Sequence, residues 1–278
     1  MSMVINTNVA SLASQRHLAS SRADMEQAME RLSSGKRINS AMDDAAGLSI
    51  SHSLDSKIAG LNQSVRNAND GVAMINLAEG ALEEISSMLV RMKELATQGA
   101  NGTYNTTTDL PAIGQEYDAL VSEITRISDN TKFNGISVIG GTDSATFQLG
   151  DTASDNISLT FQDMDSTGLS LTATYAAATK TTANYDTPTA ALTEIDAAIA
   201  TVDSYRSELG ATANRLDHAA SNLMSRVEHQ SAARSRIEDA DYAIESANLA
   251  KAQVLQQAGT AMLSQANAST QNVLSLLK

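Results

Sequence analysis

The last stretch of the chain constrains the fold most, because no charged residue lies between Lys251 and Lys278 in a protein whose net charge is -13. The stretch is long enough to cross a bilayer. Its many Gln and Asn side chains would however lack hydrogen-bond partners in lipid, which excludes a transmembrane helix. We therefore expect this stretch to be buried among other protein helices.

Two rows of small, apolar or amide residues follow this stretch at helical spacing. The first seam comprises Leu249, Ala252, Gln256, Gly259, Leu263, Ala266, Thr270, Val273 and Leu277. The second seam comprises Leu255, Ala258, Met262 and Gln265. Two seams indicate more than one partner helix. The alternative is an ordinary C-terminal helix inside a single bundle.

The composition excludes several classes of function. The pI is near 4.6, so the basic surface needed for nucleic-acid binding is absent. The chain has no cysteine, which excludes disulfides and thiolate metal sites. Aromatic residues make up 3% and proline occurs twice, which is typical of long helices with small-residue interfaces. The neutral N-terminus has no continuous apolar core, so we predict no secretory signal peptide.

The beginning of the chain resembles its end in character, since residues 1–15 are also uncharged. We expect the two ends to pair as helices. The apolar residues that follow roughly helical spacing at the beginning are Val9, Leu12, Ala19, Ala23, Met29 and Leu32. This first helix is predicted to stop at Gly35. Asn39 and Ser40 are cap residues for the next helix, with Asp43 and Asp44 in its first turn.

Three further helices are predicted from apolar seams with steps of three and four residues. The first would run from about residue 45 to 98, which is roughly 75 Å at about 1.5 Å per residue and requires packing in a bundle. Its seam is Leu61, Val65, Ala68, Val72, Ile75, Ala78, Leu82, Ile85, Leu89, Met92 and Ala96. The second folds back on it through Leu110, Ile113, Tyr117, Leu120, Ile124 and Ile127. The third carries Leu192, Ile195, Ile199, Val202, Tyr205, Leu209, Leu216, Leu223, Val227 and Ile237.

Between the second and third of these helices the period changes from helical to two. The alternating residues are Ile157, Leu159 and Phe161, and then Leu169, Leu171, Ala173 and Tyr175. We therefore predict short β-hairpins in residues 137–188. The predicted fold is mainly α: a long antiparallel helical bundle and a terminal coiled coil, with a small β-hairpin region.

Several runs of sequence resemble bacterial flagellin, and they occur in order at both ends of the chain. They are INTNVASL at 5–12, RLSSGKRINSAMDDAAGLSI at 31–50, GLNQSVRNANDGVAMINLAEGAL at 60–82, TKFNG at 131–135, DADYAIESANLAKAQVLQQAG at 239–259 and SQANASTQNVLSLL at 264–277. The resemblance departs from the family at Thr270, where proline is common, so the last helix is expected to continue without a break.

The resemblance implies a structural protein, not an enzyme, that self-assembles head-to-tail into the extracellular bacterial flagellar filament used for motility. It implies secretion by type III export, with an export chaperone, the filament cap and hook-junction proteins as partners. Because the four histidines are scattered, with no HExxH motif and no carboxylate at ligand spacing, we expect no metal and no cofactor. The resemblance also implies three parts: an inner terminal coiled-coil domain of 1–42 and 240–278, a long-helix bundle of 43–136 and 189–239, and a β-hairpin outer region of 137–188.

This resemblance and the two seams predict which side chains contact other proteins. We expect polymerisation and chaperone contacts at Val9, Leu12, Leu255, Met262, Leu263, Val273, Leu274, Leu276 and Leu277. The segment LVRMKELATQGAN resembles the stretch of flagellin bound by the flagellin-sensing Toll-like receptor, which marks Arg91, Leu95 and Glu116 as receptor contacts. Two alternatives to a filament subunit remain open from the sequence: a hook-filament junction protein and an intracellular coiled-coil scaffold.

Overall fold

The computed structural model describes residues 8–101, 103–105, 108–141, 143–171 and 187–275, with side chains left out at 187–190 and 269–275. Five helices and four short strands occupy this part of the chain, so the predicted, mainly helical fold is confirmed. The helices are α1 (Val9–Ser34), α2 (Ala45–Ala100), α3 (Asp109–Asn130), α4 (Thr187–Glu238) and α5 (Tyr242–Ser275). The strands are β1 (Lys132–Phe133), β2 (Ile136–Ser137), β3 (Ser144–Gln148) and β4 (Asn156–Thr160).

The first compact unit of the molecule is Ala59–Val227, and its helices form an apolar core. All residues of the predicted α2 and α3 seams are buried or half-buried in this core. α2 and α4 run antiparallel, because Glu79 of α2 pairs with Arg206 at 2.6 Å whereas Lys93, further along α2, pairs with Asp196 at 2.6 Å. The periodicity of the sequence thus identified the core of the bundle.

Two antiparallel hairpins follow α3. In the first, Asn134 and Gly135 have φ values of 50° and 86°, which are the positive angles that a two-residue turn between β1 and β2 requires. In the second, β3 pairs with β4, and Phe147 lies opposite Ile157. The Asn67 side-chain amide of α2 donates to the carbonyl of Gln148 at 2.9 Å, which holds this hairpin against the helix.

The alternation at residues 169–175 was wrongly interpreted as a further strand where the structure describes it. Residues 165–170 form turns, and Ser170 has a φ of 53°. Leu169 and Leu171 are both buried in the core, as the alternation suggests, but the backbone that carries Leu169 is a turn and not a strand. Ala173 and Tyr175 lie outside the described residues.

The second unit consists of the residues before Ala59 and after Val227, and in it α1 and α5 pair along their lengths. The pair is antiparallel: Asn8 at the start of α1 donates to the carbonyl of Ala266 at 2.9 Å, and Arg31 near its end contacts Glu245 at 3.0 Å. The predicted pairing of the chain ends is therefore confirmed. α5 also continues through Thr270 without a break, as predicted.

The break between α1 and α2 begins as predicted at Gly35, which has a φ of 71° and ends α1. The start of α2 near residue 45 is as predicted, but the predicted cap residues Asn39 and Ser40 do not cap it. α2 begins at Ala45, so Asp44 is its cap and accepts a hydrogen bond from the Gly47 backbone N–H at 2.8 Å. Asp43 instead accepts bonds from the backbone N–H groups of Asn39 and Ser40 in the preceding turn, which lowers the pKa of its carboxyl.

Candidate assembly surface of the terminal helices

The face of α1 that contacts α5 is made of small and polar side chains. Ser11, Ser21 and Ala28 are its buried residues. Leu18 is half-buried and lies over Gly259, where an added Cβ would come within 3.4 Å of its Cδ1 atom. An alanine Cβ at position 259 would therefore be in ordinary van der Waals contact with Leu18.

The apolar set predicted from the sequence of α1 is not the face that packs on α5. Val9, Leu12 and Met29 are 68%, 51% and 46% exposed. Ala19 and Ala23 are exposed as well, and only Leu32 is half-buried. Hydrophobic spacing therefore did not identify the contact face, because that face consists of serine and alanine, which allow two helices to approach closely.

α1 covers the first seam of α5 and leaves the second seam open. Among described side chains the members of the first seam are buried or half-buried: Leu249, Ala252, Gln256, Gly259, Leu263 and Ala266. The second seam is exposed along its length, with Leu255 46% and Met262 61% exposed, and Ala258 and Gln265 exposed beside them. Among the described residues, one face of α5 is therefore covered by a helix of the same chain and the other face is not.

The residues predicted to make polymerisation contacts divide accordingly. Leu255, Met262, Val9 and Leu12 are exposed, whereas Leu263 belongs to the seam that α1 covers. Val273 and Leu274 lie in α5, but their side chains are outside the described set, as are Leu276 and Leu277 altogether.

A buried carboxylate joins the break between α1 and α2 to the break between α4 and α5. Glu238 is 6% exposed, pairs with Lys36 and accepts a hydrogen bond from the Ser51 hydroxyl. The hydrogen bond from Lys36, followed by that from Ser51, lowers the pKa of Glu238. Sequence reasoning missed this cluster because its members are far apart along the chain and belong to no motif.

The predicted receptor contacts are brought together in the bundle, with one difference. Arg91 of α2 reaches Glu116 of α3 at 2.8 Å and also pairs with Glu94, and these groups are exposed. Leu95 is only 2% exposed and belongs to the core. A partner that binds this surface would touch Arg91 and Glu116 but not Leu95, which supports the two helices from inside.

Within the described part of the chain, none of the helices combines the length and the hydropathy that a bilayer span demands.

Comparison with known proteins matches both ends of the chain to one protein family. Residues 5–144 match the bacterial flagellin N-terminal helical region, and residues 192–277 match the bacterial flagellin C-terminal helical region. The flagellin of Bacillus subtilis (strain 168) is 40% identical over 304 residues, covering 99% of this chain and 100% of the relative. The flagellin of Halalkalibacterium halodurans is 41% identical over 277 residues, with the same coverage of both chains.

A solved structure shares the fold at lower sequence identity. It is a putative flagellar hook-associated protein from Vibrio parahaemolyticus, with a TM-score of 0.62 and 15% identity over 71% of this chain and 100% of that chain. This likeness concerns the fold alone, whereas the full-length relatives named flagellin indicate a filament subunit. The chain belongs to the bacterial flagellin family, and it is a structural subunit of the extracellular flagellar filament rather than an enzyme.

Proposed function

We propose that this subunit polymerises by burying the second seam of α5 against other copies of the chain. The observation that carries the proposal is the exposure of Leu255, Ala258 and Met262 on a helix whose opposite face α1 already covers. Depletion of charge is typical of the centre of a protein interface. A contact in which different patches of two copies meet does not close on itself and so builds a helical filament.

The outward face of α1 extends the same surface. Val9 and Leu12 lie at the end of α1 that is next to Ala266, because Asn8 bonds to the Ala266 carbonyl. Residues 1–15 and 252–277 contain no charged side chain, so both helices are uncharged at this end of the pair. We include Val9 and Leu12 among the polymerisation contacts for this reason.

Charge placed on the second seam tests the proposal. Met262→Asp should abolish the formation of long tubes by purified protein, as seen by negative-stain microscopy, because a carboxylate would be buried without a partner. Met224→Asp is the matched control, since Met224 is 53% exposed on α4 and lies outside both seams. Normal filaments from Met262→Asp, with circular dichroism unchanged, would contradict the proposal.

The proposed partners in export and at the ends of the filament are inferred from the family resemblance. We propose export through the type III route and capture of Val273–Leu277 by an export chaperone, with the filament cap and hook-junction proteins as contacts at the two ends of the polymer. The inner domain of 1–42 and 240–278 would form the filament core. Deletion of 273–277 should abolish both chaperone binding and polymerisation and leave the melting of the bundle unchanged.

The flagellin-sensing Toll-like receptor is proposed to bind through Arg91 and Glu116. The double substitution Arg91→Ala and Glu116→Ala should reduce activation of receptor-bearing cells by monomer. The pair Glu123 and Arg126 is the matched control, since it is also an exposed ion pair on this bundle, with a separation of 2.6 Å. Equal activation by the wild type and the Arg91/Glu116 variant would refute the assignment.

A further inference from the structure

The oxidisable side chains of this protein are its methionines, because the chain has eleven methionines and no cysteine. Met25 and Met88 are half-buried, and Met74, Met92 and Met164 are buried. Four of the described methionines are exposed: Met29 at 46%, Met42 at 97%, Met224 at 53% and Met262 at 61%. Exposure to solvent is what makes a thioether accessible to an oxidant.

Met262 differs from the other three by its position. It lies in the middle of the second seam of α5, whereas Met29 lies on α1, Met42 in the turn before α2 and Met224 on α4. On that seam Leu255 and Ala258 have no side-chain hydrogen-bond donor, whereas Gln265 carries one amide NH2 group. A new polar group at position 262 would therefore fall on the surface that the proposed filament contact buries.

We propose that Met262 is a modification site whose oxidation by a peroxide removes a subunit from assembly, and whose burial in the polymer protects it. The inference rests on the proposed role of the second seam. In the reaction, the Met262 sulfur attacks one oxygen of hydrogen peroxide, an S–O bond forms and the O–O bond breaks. The proton on the transferred oxygen passes to the departing hydroxide, which leaves as water. The sulfur loses two electrons to become a sulfoxide, and the peroxide is reduced to water.

The physical effect comes from the change in polarity. A thioether is apolar and flexible, whereas a sulfoxide is polar and carries a strong acceptor oxygen. In the monomer that oxygen is solvated by water, so the fold of the chain is unaffected. In the polymer it loses its water on a seam where Leu255 and Ala258 offer no donor to replace it, so we expect the critical concentration for polymerisation to rise about tenfold or more.

The first test uses wild-type monomer that has been partly oxidised with hydrogen peroxide. After polymerisation, the polymer and the remaining monomer are separated by sedimentation, and each methionine is quantified by peptide mass spectrometry. Sulfoxide at Met262 should be enriched in the remaining monomer by about tenfold. Equal partition of that sulfoxide, or a Met262 that peroxide does not oxidise in the monomer, would overturn the proposal.

Variants test the residue assignment. Met262→Leu keeps an apolar side chain of similar size without a sulfur. The fraction of its own untreated polymerisation that survives peroxide should exceed the fraction that survives in the wild type. Met42→Leu and Met224→Leu remove exposed methionines outside the second seam and should remain sensitive. Equal sensitivity of Met262→Leu and the wild type would overturn the proposal, as would resistance conferred by Met42→Leu alone.

Two additional measurements separate this inference from the proposal on which it rests. If Met262→Gln polymerises as readily as the wild type, the second seam is not an interface and the proposed function fails. If Met262→Gln fails to polymerise while oxidised wild type succeeds, only the oxidation proposal fails. Treatment with reductases for both sulfoxide epimers should restore polymerisation of oxidised monomer. Persistent loss after complete reduction at Met262 would show that damage elsewhere is responsible.

Discussion

Glu238 joins two segments of the chain that are about two hundred residues apart. Its backbone carbonyl accepts a hydrogen bond from Arg37 at 2.6 Å, and its carboxylate is held by Lys36 and Ser51. Lys36 also forms a β-bridge with Asp239. A buried carboxylate with two donors is stabilising as long as both remain, because removal of either leaves a charge that is only partly compensated.

We expect Glu238→Gln to lower the free energy of unfolding by about 1–3 kcal/mol at pH 7, measured by urea denaturation. The pKa of Glu238 is lowered in the folded state, so its contribution is present above its ordinary pKa of 4.5 and is lost as pH falls through the folded pKa. The variant should therefore differ from the wild type at pH 7 and approach it in acid. Glu26→Gln is the control because Glu26 is an exposed partner of Arg22, and we expect a change below about 0.5 kcal/mol.

Tyr205 makes the free energy of unfolding depend on pH at alkaline pH. Its side chain is buried and its hydroxyl donates to the Val138 carbonyl at 3.3 Å. Burial raises the pKa of Tyr205 from 10.0 to about 12. The folded pKa exceeds the unfolded one, so this stabilisation is complete below pH 10 and declines as pH rises toward 12.

Tyr205→Phe should therefore flatten the fall of the unfolding free energy between pH 10 and 12. At neutral pH it should cost about 1 kcal/mol for the lost hydrogen bond. Tyr242→Phe is the control, since Tyr242 is 72% exposed, and it should leave the alkaline curve as it is. A wild-type alkaline slope in Tyr205→Phe would contradict the assignment.

At the scale of elements, hydrophobic periodicity predicted the buried faces of α2 and α3, where the core side chains are bulky. It did not identify the buried face of α1, where the side chains at the contact are small. α2 and α3 pack through Leu, Ile and Met, and hydrophobicity marks such faces clearly in the sequence. α1 packs through Ser11, Ser21 and Ala28, and serine is not recognised as an interior residue from composition. The second seam of α5 could be recognised from the sequence because α5 has no charged residue after Lys251, so neither of its two seams is interrupted by charge.

Two glycines of α2 should respond in opposite directions to alanine. Gly80 is exposed and has nothing within 4 Å of an added Cβ, so Gly80→Ala should stabilise the helix by about 0.5–1 kcal/mol. At Gly47 the same Cβ would lie 2.6 Å from the Asp44 carboxylate and 2.6 Å from Ile38 Cδ1. Gly47→Ala should displace the cap and cost about 1 kcal/mol, as measured by thermal melting. Stabilisation by both substitutions would show that the cap adjusts freely.

At the scale of the whole molecule, the two units differ in how much apolar surface they bury. The core of Ala59–Val227 contains large side chains such as Leu82, Ile85 and Tyr205. In the described parts of α1 and α5, by contrast, the buried apolar residues are Ala28 and Ala252. The α1–α5 contact was predicted from uncharged ends, but its register depends on Asn8 and Ser11, which no sequence period reveals.

Because the α1–α5 contact buries little apolar surface, we predict that residues 250–270 are largely disordered in the monomer in solution. They should become ordered when other copies cover the second seam. Hydrogen exchange of monomer and polymer measures this directly. Exchange in the monomer should be fast over 250–270 and slow over α2, and polymerisation should slow the former. Strong protection of 250–270 in monomer would show that the helix pair is stable alone.

The contact between Asn8 and Ala266 can form only after almost the whole chain has been synthesised. These residues are 258 positions apart, so at about 5–20 residues per second a ribosome needs roughly 13–50 s to make the second after the first. α1 is thus the first helix to be made and the last to meet its partner. The order of translation itself therefore postpones the completion of this surface until α5 has been synthesised.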